Sequence, residues 1–155
     1  MPKRSAGILL YRRPSGEPEV LLVHPGGPYW EKKDLGAWSI PKGEYDDAED
    51  PRACALREFE EELGAPPPEG DLAALGTATQ SGGKVVTAWA VEGDLDPAGA
   101  RSNTFTLEWP PRSGRQQEFP EIDRADWFAL DAARAKLVKG QVPLVDALAE
   151  KLALR

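Results

Sequence analysis

Three glutamates near the middle of the chain have types and spacing that suit metal chemistry. In a helix, where successive residues turn by about 100°, Glu61 and Glu62 would lie roughly −60° and roughly 40° from Glu58, on one side. Such neighbours repel by roughly 0.2–0.5 kcal/mol per pair, and a helix C-terminus favours cations. A divalent cation held by carboxylate oxygens would remove both penalties. The cluster is therefore either a solvated face or a cation site for phosphate chemistry.

The helix that would carry these glutamates has its own start and stop signals. Asp50 is a good N-cap and Pro51 suits the first helical position. Gly64 predicts the end of the helix, and the run 66–68 of three prolines prevents its continuation. The opposite side carries an apolar stripe that can pack against a sheet, formed by Leu56, Phe59 and Leu63.

The rest of the chain predicts a sheet covered by helices. Apolar runs bounded by turn residues predict strands at 6–12, 19–24, 72–79, 84–91, 104–109 and 127–130, and an extended segment at 37–40. Helices are predicted at 131–138 and 143–152, the second with leucines one turn apart. We predict a single domain spanning residues 1–155, built as a mixed α/β sandwich.

Composition argues against several classes of protein. With 155 residues, 19 Lys and Arg, and 26 Asp and Glu, the formal charge is −7, which argues against binding of DNA or RNA duplexes. The single cysteine, Cys54, cannot form an internal disulfide and fits the cytoplasm. The single histidine, His24, argues against a zinc site or a histidine-based triad. We expect no signal peptide and no membrane span, because the apolar runs are too short.

The residues around the predicted helix resemble the signature box of the Nudix hydrolases. The box comprises Gly43, five residues, Glu49, seven residues, and then Arg57-Glu58-Phe59-Glu60-Glu61-Glu62-Leu63-Gly64-Ala65. Every fixed Gly, Glu and Arg of the pattern is present, and only Ala65 stands where a larger aliphatic residue is usual. The resemblance implies a Nudix-type α/β/α sandwich with a mixed β-sheet, and hydrolysis of a nucleoside diphosphate linked to another group.

The resemblance also implies a role for each residue of the box. Glu58 and Glu62 would be ligands of a divalent cation, Mg²⁺ or Mn²⁺, and Gly43 would contribute its carbonyl. Glu61 would be either a further ligand or the base that activates water. Arg57 would pair with a neighbouring carboxylate and fix its orientation. The implied catalytic residues are therefore Arg57, Glu58 and Glu61.

Candidates outside the glutamate cluster have weaker signals. Lys42 directly precedes Gly43 of the box and is either a point charge for a phosphate or a solvated lysine. Glu118 and Glu121 lie where many Nudix enzymes place an extra acidic residue near the metals, although most loop glutamates are only solvated. Tyr29 and Trp30 could stack on a base, but we predict that they pack in the core.

The substrate is indicated by the stretch WSIPKG, residues 38–43, which leads into the box. It is similar to Nudix enzymes acting on diadenosine tetraphosphate, although residues 66–90 lack the tyrosine that those enzymes often carry. We expect an Mg²⁺-dependent pyrophosphohydrolase acting on a dinucleoside polyphosphate. The alternatives are a house-cleaning hydrolase of nucleoside triphosphates or other nucleoside diphosphate derivatives, and a nucleotide-binding regulator without turnover. The oligomeric state stays open.

Overall fold

The computed structural model describes residues 3–153. In chain order its elements are β1 Arg4–Arg12, β2 Glu19–Pro25, β3 Lys42–Glu44, α1 Pro51–Leu63, β4 Ala73–Thr79, β5 Val85–Glu92, β6 Thr104–Glu108, β7 Gln116–Pro120, β8 Ile122–Ala129, α2 Leu130–Lys136 and α3 Val142–Ala153. Short 3-10 turns lie at Ser81–Gly83, Pro97–Gly99 and Lys139–Gln141. Within these described residues, no helix is long and apolar enough to cross a membrane.

Six of the strands form one mixed sheet. Its order is β4-β5-β1-β2-β8, with β3 paired to the first part of β1 and β2 paired to its last part. The β1–β5 pair is parallel and the other pairs are antiparallel. Strands β6 and β7 form a separate hairpin. This topology places β3 at the start of β1, directly ahead of the chain that leads into α1.

Helices cover both faces of the sheet, because successive side chains of β1 pack against different helices on the two faces. Leu9 and Tyr11 belong to the core on the α2 and α3 side, which includes Leu148. Ile8 and Leu10 belong to the opposite core, where they share a cluster with Phe59 of α1. The predicted α/β/α sandwich with a mixed sheet is confirmed.

Helix α1 begins and ends where its capping residues predict. Asp50 accepts a hydrogen bond from the Ala53 N–H at 3.1 Å, and Gly64 adopts a left-handed conformation with φ 78°. Its buried face differs from the predicted stripe in one position. Leu56 is 37% exposed, whereas Cys54 and Ala55, along with Phe59 and Leu63, are buried. The stripe is therefore rotated toward the smaller side chains of Cys54 and Ala55.

Four stretches differ from their sequence-based assignment. Residues 37–40 form no strand and contribute only isolated bridges, Ser39 to Val23 and Trp38 to Leu137. Strands β3 and β7 were missed because one has three residues with a central glycine and the other is polar and ends in proline. Strand β8 begins at Ile122 rather than at residue 127, since pairing with the buried strand β2 overrides the charged composition of its first half.

Candidate active site

The glutamate cluster lies where the middle and end of α1 meet β3. The Glu58 side chain is 16% exposed and that of Glu61 is 38% exposed. Glu62 Oε1 accepts a hydrogen bond from the Lys42 backbone N–H at 3.3 Å, which ties the helix to the strand. A Cβ atom at Gly43 would lie 2.0 Å from Glu58 Cδ, so only glycine lets Glu58 occupy this position.

Arg57 holds three carboxylates in fixed relative positions. Its Nη2 contacts both carboxylate oxygens of Glu49 at 2.9 Å, and its Nε donates to the same group at 3.1 Å. Its Nη1 donates to Glu58 at 3.2 Å and to Glu61 at 3.1 Å. These contacts raise the pKa of Arg57, with the Glu49 hydrogen bond as the largest cause. A planar five-donor group suits this arrangement, which the single ammonium of lysine cannot reproduce.

The two inner carboxylates bind protons more tightly than ordinary glutamates. Burial raises the pKa of Glu62 to about 8, against the smaller lowering effect of the Lys42 backbone N–H. Burial also raises the pKa of Glu58, followed by repulsion from Glu61 and against the attraction of Arg57. The charge of Glu121 raises the pKa of both groups. The site thus concentrates negative charge that a cation would stabilise.

This cluster predicts how the stability of the cation-free protein depends on pH. Folded Glu62 keeps its proton up to about pH 8, whereas the unfolded chain releases it near the ordinary value of 4.5. Between these values the folded state binds more protons, so the free energy of unfolding falls as pH rises. In chelator at pH 8, we expect Glu62→Gln to raise Tm above wild type by about 5 °C or more, with little difference at pH 4.5. Thermal unfolding measured by circular dichroism checks this.

Glu60→Gln is the matched control, because Glu60 is an exposed residue on the same helix. It should follow the wild-type pH profile. Identical pH slopes for wild type and the Glu62 variant would contradict the assigned proton affinity.

The structure separates the other candidate residues. Lys42 is half-buried beside the cluster, and burial lowers its pKa, followed by repulsion from Lys84. Glu121 lines the same cavity as Lys42 and Glu62. Glu118 lies on β7, exposed and paired with Thr106 of β6. Of the two extra acidic candidates, only Glu121 therefore faces the cavity beside the glutamate cluster.

Two cavities meet at Glu62. The first, here called the glutamine cavity, has a volume of about 340 Å³ and is lined by residues that include Trp30, Lys42, Gln80, Glu121 and Gln141. The second, the arginine cavity, has a volume of about 420 Å³ and is lined by residues that include Arg101, Ser102, Asp123, Arg124 and Asp126. Glu62 lines both cavities. One carboxylate of the cluster therefore stands at their common wall.

The structure also places the two candidate aromatic residues and the single histidine. Tyr29 is 57% exposed and Trp30 is 38% exposed, so the prediction that they pack in the core was wrong. His24 is buried between Asp123 and the Lys33 carbonyl, with ring nitrogens 2.7 Å and 2.6 Å from these oxygens. The histidine fixes the loop that carries Trp30, and its contacts are distinct from the glutamate cluster.

Comparison with known proteins assigns the family. The model of the NUDIX domain matches residues 1–148. The chain belongs to the Nudix family. No curated protein sequence matches it.

Solved structures share this Nudix fold over nearly the whole chain. The C. elegans Ap4A hydrolase in a binary complex has a TM-score of 0.68 and 22% identity, covering 97% of this chain and 99% of that one. The NUDIX domain of Shewanella oneidensis NrtR complexed with ADP ribose has a TM-score of 0.65 and 18% identity, covering 98% of this chain and 89% of that one. A Nudix hydrolase from M. Smegmatis, RenU, has a TM-score of 0.54 and 25% identity, covering 97% of this chain and 85% of that one.

Nudix hydrolases act on pyrophosphate bonds and generally use divalent cations, so the fit of a cation to this site can be tested. Within residues 3–153, no three Asp, Glu, Cys or His side chains are already arranged to hold a metal ion. The donor set nevertheless suits a hard cation, because Glu58 and Glu62 are partly buried carboxylates and the charge of Glu58 raises the pKa of Glu62. Arg57 now occupies one oxygen of Glu58 and one of Glu61. The residues fit a cation chemically, with Glu58 and Glu61 held by Arg57 and Glu62 held by the Lys42 N–H.

The Nudix box did not reveal the cavity-lining residues Gln80, Gln141, Arg101 and Arg124. Gln80 follows β4, Gln141 ends the turn before α3, and Arg124 lies on β8. These residues come from separate parts of the chain, and each is an ordinary polar residue in its local sequence. Only the packing of these elements around Glu62 brings them together, so no local motif could have identified them.

Proposed function

We propose that this protein hydrolyses a phosphoanhydride bond in a dinucleoside polyphosphate, such as diadenosine tetraphosphate, with Mg²⁺ or Mn²⁺ as the cation. The observation that carries the proposal is the pair of cavities that share Glu62. A dinucleoside polyphosphate has two nucleosides joined by a polyanionic bridge. Its two ends can enter the two cavities while the bridge lies across the glutamate cluster. A nucleoside triphosphate would leave one cavity unused.

The charges around the two cavities support a phosphate bridge at this place. Lys42 lines the glutamine cavity, and Arg101 and Arg124 line the arginine cavity. Cationic side chains of both kinds bind phosphate oxygens, lysine as a point charge and arginine as a planar fork. Each cavity lies in the size range of small-molecule sites, which begins at about 300 Å³. The fold shared with the C. elegans Ap4A hydrolase makes this substrate class the first to test.

The residues of the cluster divide the chemical work. A bound divalent cation would neutralise substrate charge and supply a hydroxide nucleophile near neutral pH. Glu58 and Glu62 would hold it, and the Gly43 carbonyl is a further candidate ligand. Glu61 would act as ligand or base, and Arg57 would fix the carboxylates of Glu58 and Glu61. The protein would act in the cytoplasm on a small-molecule nucleotide.

A substrate screen tests the proposal. The nucleotide products should be separated and quantified for dinucleoside polyphosphates, nucleoside triphosphates, ADP-ribose and nucleotide sugars, with and without Mg²⁺, in ¹⁸O-labelled water to locate the attacked phosphorus. We expect a dinucleoside polyphosphate to have the highest kcat/KM, by about tenfold, which corresponds to about 1.4 kcal/mol. Equal or faster hydrolysis of triphosphates would overturn the dinucleoside assignment. Binding without turnover of any substrate would favour the nucleotide-binding regulator.

A further inference from the structure

A buried glutamine has its orientation fixed by the backbone beside the site. Gln141 is fully buried, and the Ile40 backbone N–H lies 3.0 Å from one of its side-chain atoms. A backbone N–H only donates, so the atom that receives it is Oε1. The Nε2 of Gln141 therefore points the other way, where it donates to Ser39 Oγ at 3.0 Å and to Gln80 at 2.9 Å. Its amide cannot flip, because a flip would bring Nε2 against the Ile40 N–H, which is also a donor.

The orientation of Gln141 fixes that of Gln80 in turn. The Gln80 atom that receives this hydrogen bond must be Oε1, so its Nε2 carries the two remaining donors. Within residues 3–153, that Nε2 has no hydrogen-bond partner. The backbone of Gln80 is also held, because its N–H donates to the Lys84 carbonyl at 2.7 Å. A Cβ atom at Gly140 would lie 2.6 Å from Gln80 Cα, so the turn packs closely against it.

The glutamine cavity surrounds Gln80 with features that suit a nucleoside base. Trp30 lines the same cavity and is partly exposed, which gives a base a surface for stacking. Val23, Ala37 and Val138 add apolar wall, and Lys42 and Glu62 line the same cavity with charged groups suited to phosphates and their cation. Gln80 thus presents a neutral donor to a cavity that also has aromatic and apolar walls.

The geometry points to Gln80 as a specificity-determining residue that donates from Nε2 to an acceptor atom of the substrate's base, with Gln141 as its positioning residue. This inference rests on the proposed function, because it assumes a nucleotide in the glutamine cavity. Since Gln80 Oε1 already accepts from Gln141, we expect recognition of an acceptor on the base. Adenine offers such acceptors at its ring nitrogens, and its deaza analogues remove them one at a time.

This inference is tested by the kinetics of wild type and Gln80→Met. Both are measured on adenine substrates and on their 1-deaza, 3-deaza and 7-deaza analogues. Methionine keeps the size of the side chain and removes the donor. We expect wild type to lose about tenfold in kcat/KM on one analogue, through KM, which is the usual effect of one hydrogen bond. Gln80→Met should show the same loss on the natural base and no further loss on that analogue. Gln116→Met, a change of an exposed glutamine on β7, is the matched control and should behave as wild type.

The variants also separate recognition from a purely structural effect. Gln141→Leu removes the donor to Gln80, so we expect it to abolish discrimination against the same deaza analogue, whatever it does to Tm. Wild-type kcat/KM and deaza discrimination in Gln80→Met would overturn the inference. The inference would also be overturned if wild type had the same kcat/KM on all three deaza analogues.

Calorimetric binding of a non-hydrolysable adenine nucleotide makes the two possible failures distinguishable. If wild type binds the nucleotide and hydrolyses nothing, the proposed function fails. In that case a tenfold weaker Kd for Gln80→Met still supports the base contact. An unchanged Kd in Gln80→Met overturns the contact even where hydrolysis is found.

Discussion

Replacing Glu62 by glutamine is expected to lower kcat by about a thousandfold or more, although the protein folds. A thousandfold loss corresponds to about 4 kcal/mol of transition-state stabilisation. A cation that polarises a phosphoryl group supplies stabilisation on this scale. Glutamine has the same shape, and its Oε1 can still accept the Lys42 N–H, so the link between α1 and β3 is kept. Steady-state kinetics with saturating Mg²⁺, together with Tm, would measure both effects.

The combination of lost activity and retained or increased stability separates this account from a structural role for Glu62. Burial raises the pKa of Glu62 to about 8, so the carboxylate weakens the cation-free fold at high pH. If Glu62 stabilised the fold, its replacement would lower Tm instead. Glu60→Gln on the exposed side of α1 should leave kcat unchanged. Wild-type kcat in Glu62→Gln would remove the assignment of the site.

Gly43→Ala should be the second most damaging change, with a loss of about a hundredfold in kcat. The added Cβ would lie 2.0 Å from Cδ and 2.2 Å from Oε1 of Glu58, far inside contact distance. The atoms that must move belong to the end of a flexible side chain, so we expect the fold to survive and Glu58 to be displaced. Kinetics and a crystal structure of the variant would show both consequences.

The matched control is Gly99→Ala, because a Cβ there would meet nothing within 4 Å. It should retain the kcat of wild type. If Gly43→Ala turned over substrate at the same rate as this control, close packing of β3 against Glu58 would have no part in activity.

The parts of the site that sequence reasoning predicts are those that depend on local rules. Asp50, Pro51 and Gly64 define the bounds of α1, and its 3.6-residue period places Glu58 and Glu62 together. The apolar runs that became β1 and β2 were found because both faces of these strands are buried. Caps and periods act within a few residues, so a single sequence contains the information.

The parts that sequence reasoning missed depend on contacts between distant segments. Strand β3 has only three residues, Lys42–Glu44, and exists because β1 offers it a partner. The first half of β8 is charged and is held by β2. Gln80 and Gln141 are 61 residues apart in sequence and meet only after α3 and β4 pack together. Their roles follow from hydrogen-bond directions that no local pattern encodes.

Cation binding measured directly is the sharpest test of the central claim, which is that the glutamates of α1 hold a divalent ion. Isothermal titration of Mn²⁺ into wild type, Glu58→Gln, Glu62→Gln and Glu60→Gln at pH 7.5, with Mg²⁺ as competitor, gives the answer without any substrate. The account predicts that wild type and Glu60→Gln bind Mn²⁺ alike, and that the other two variants bind it about 10–100-fold more weakly. Equal Mn²⁺ affinity in all four proteins would contradict it.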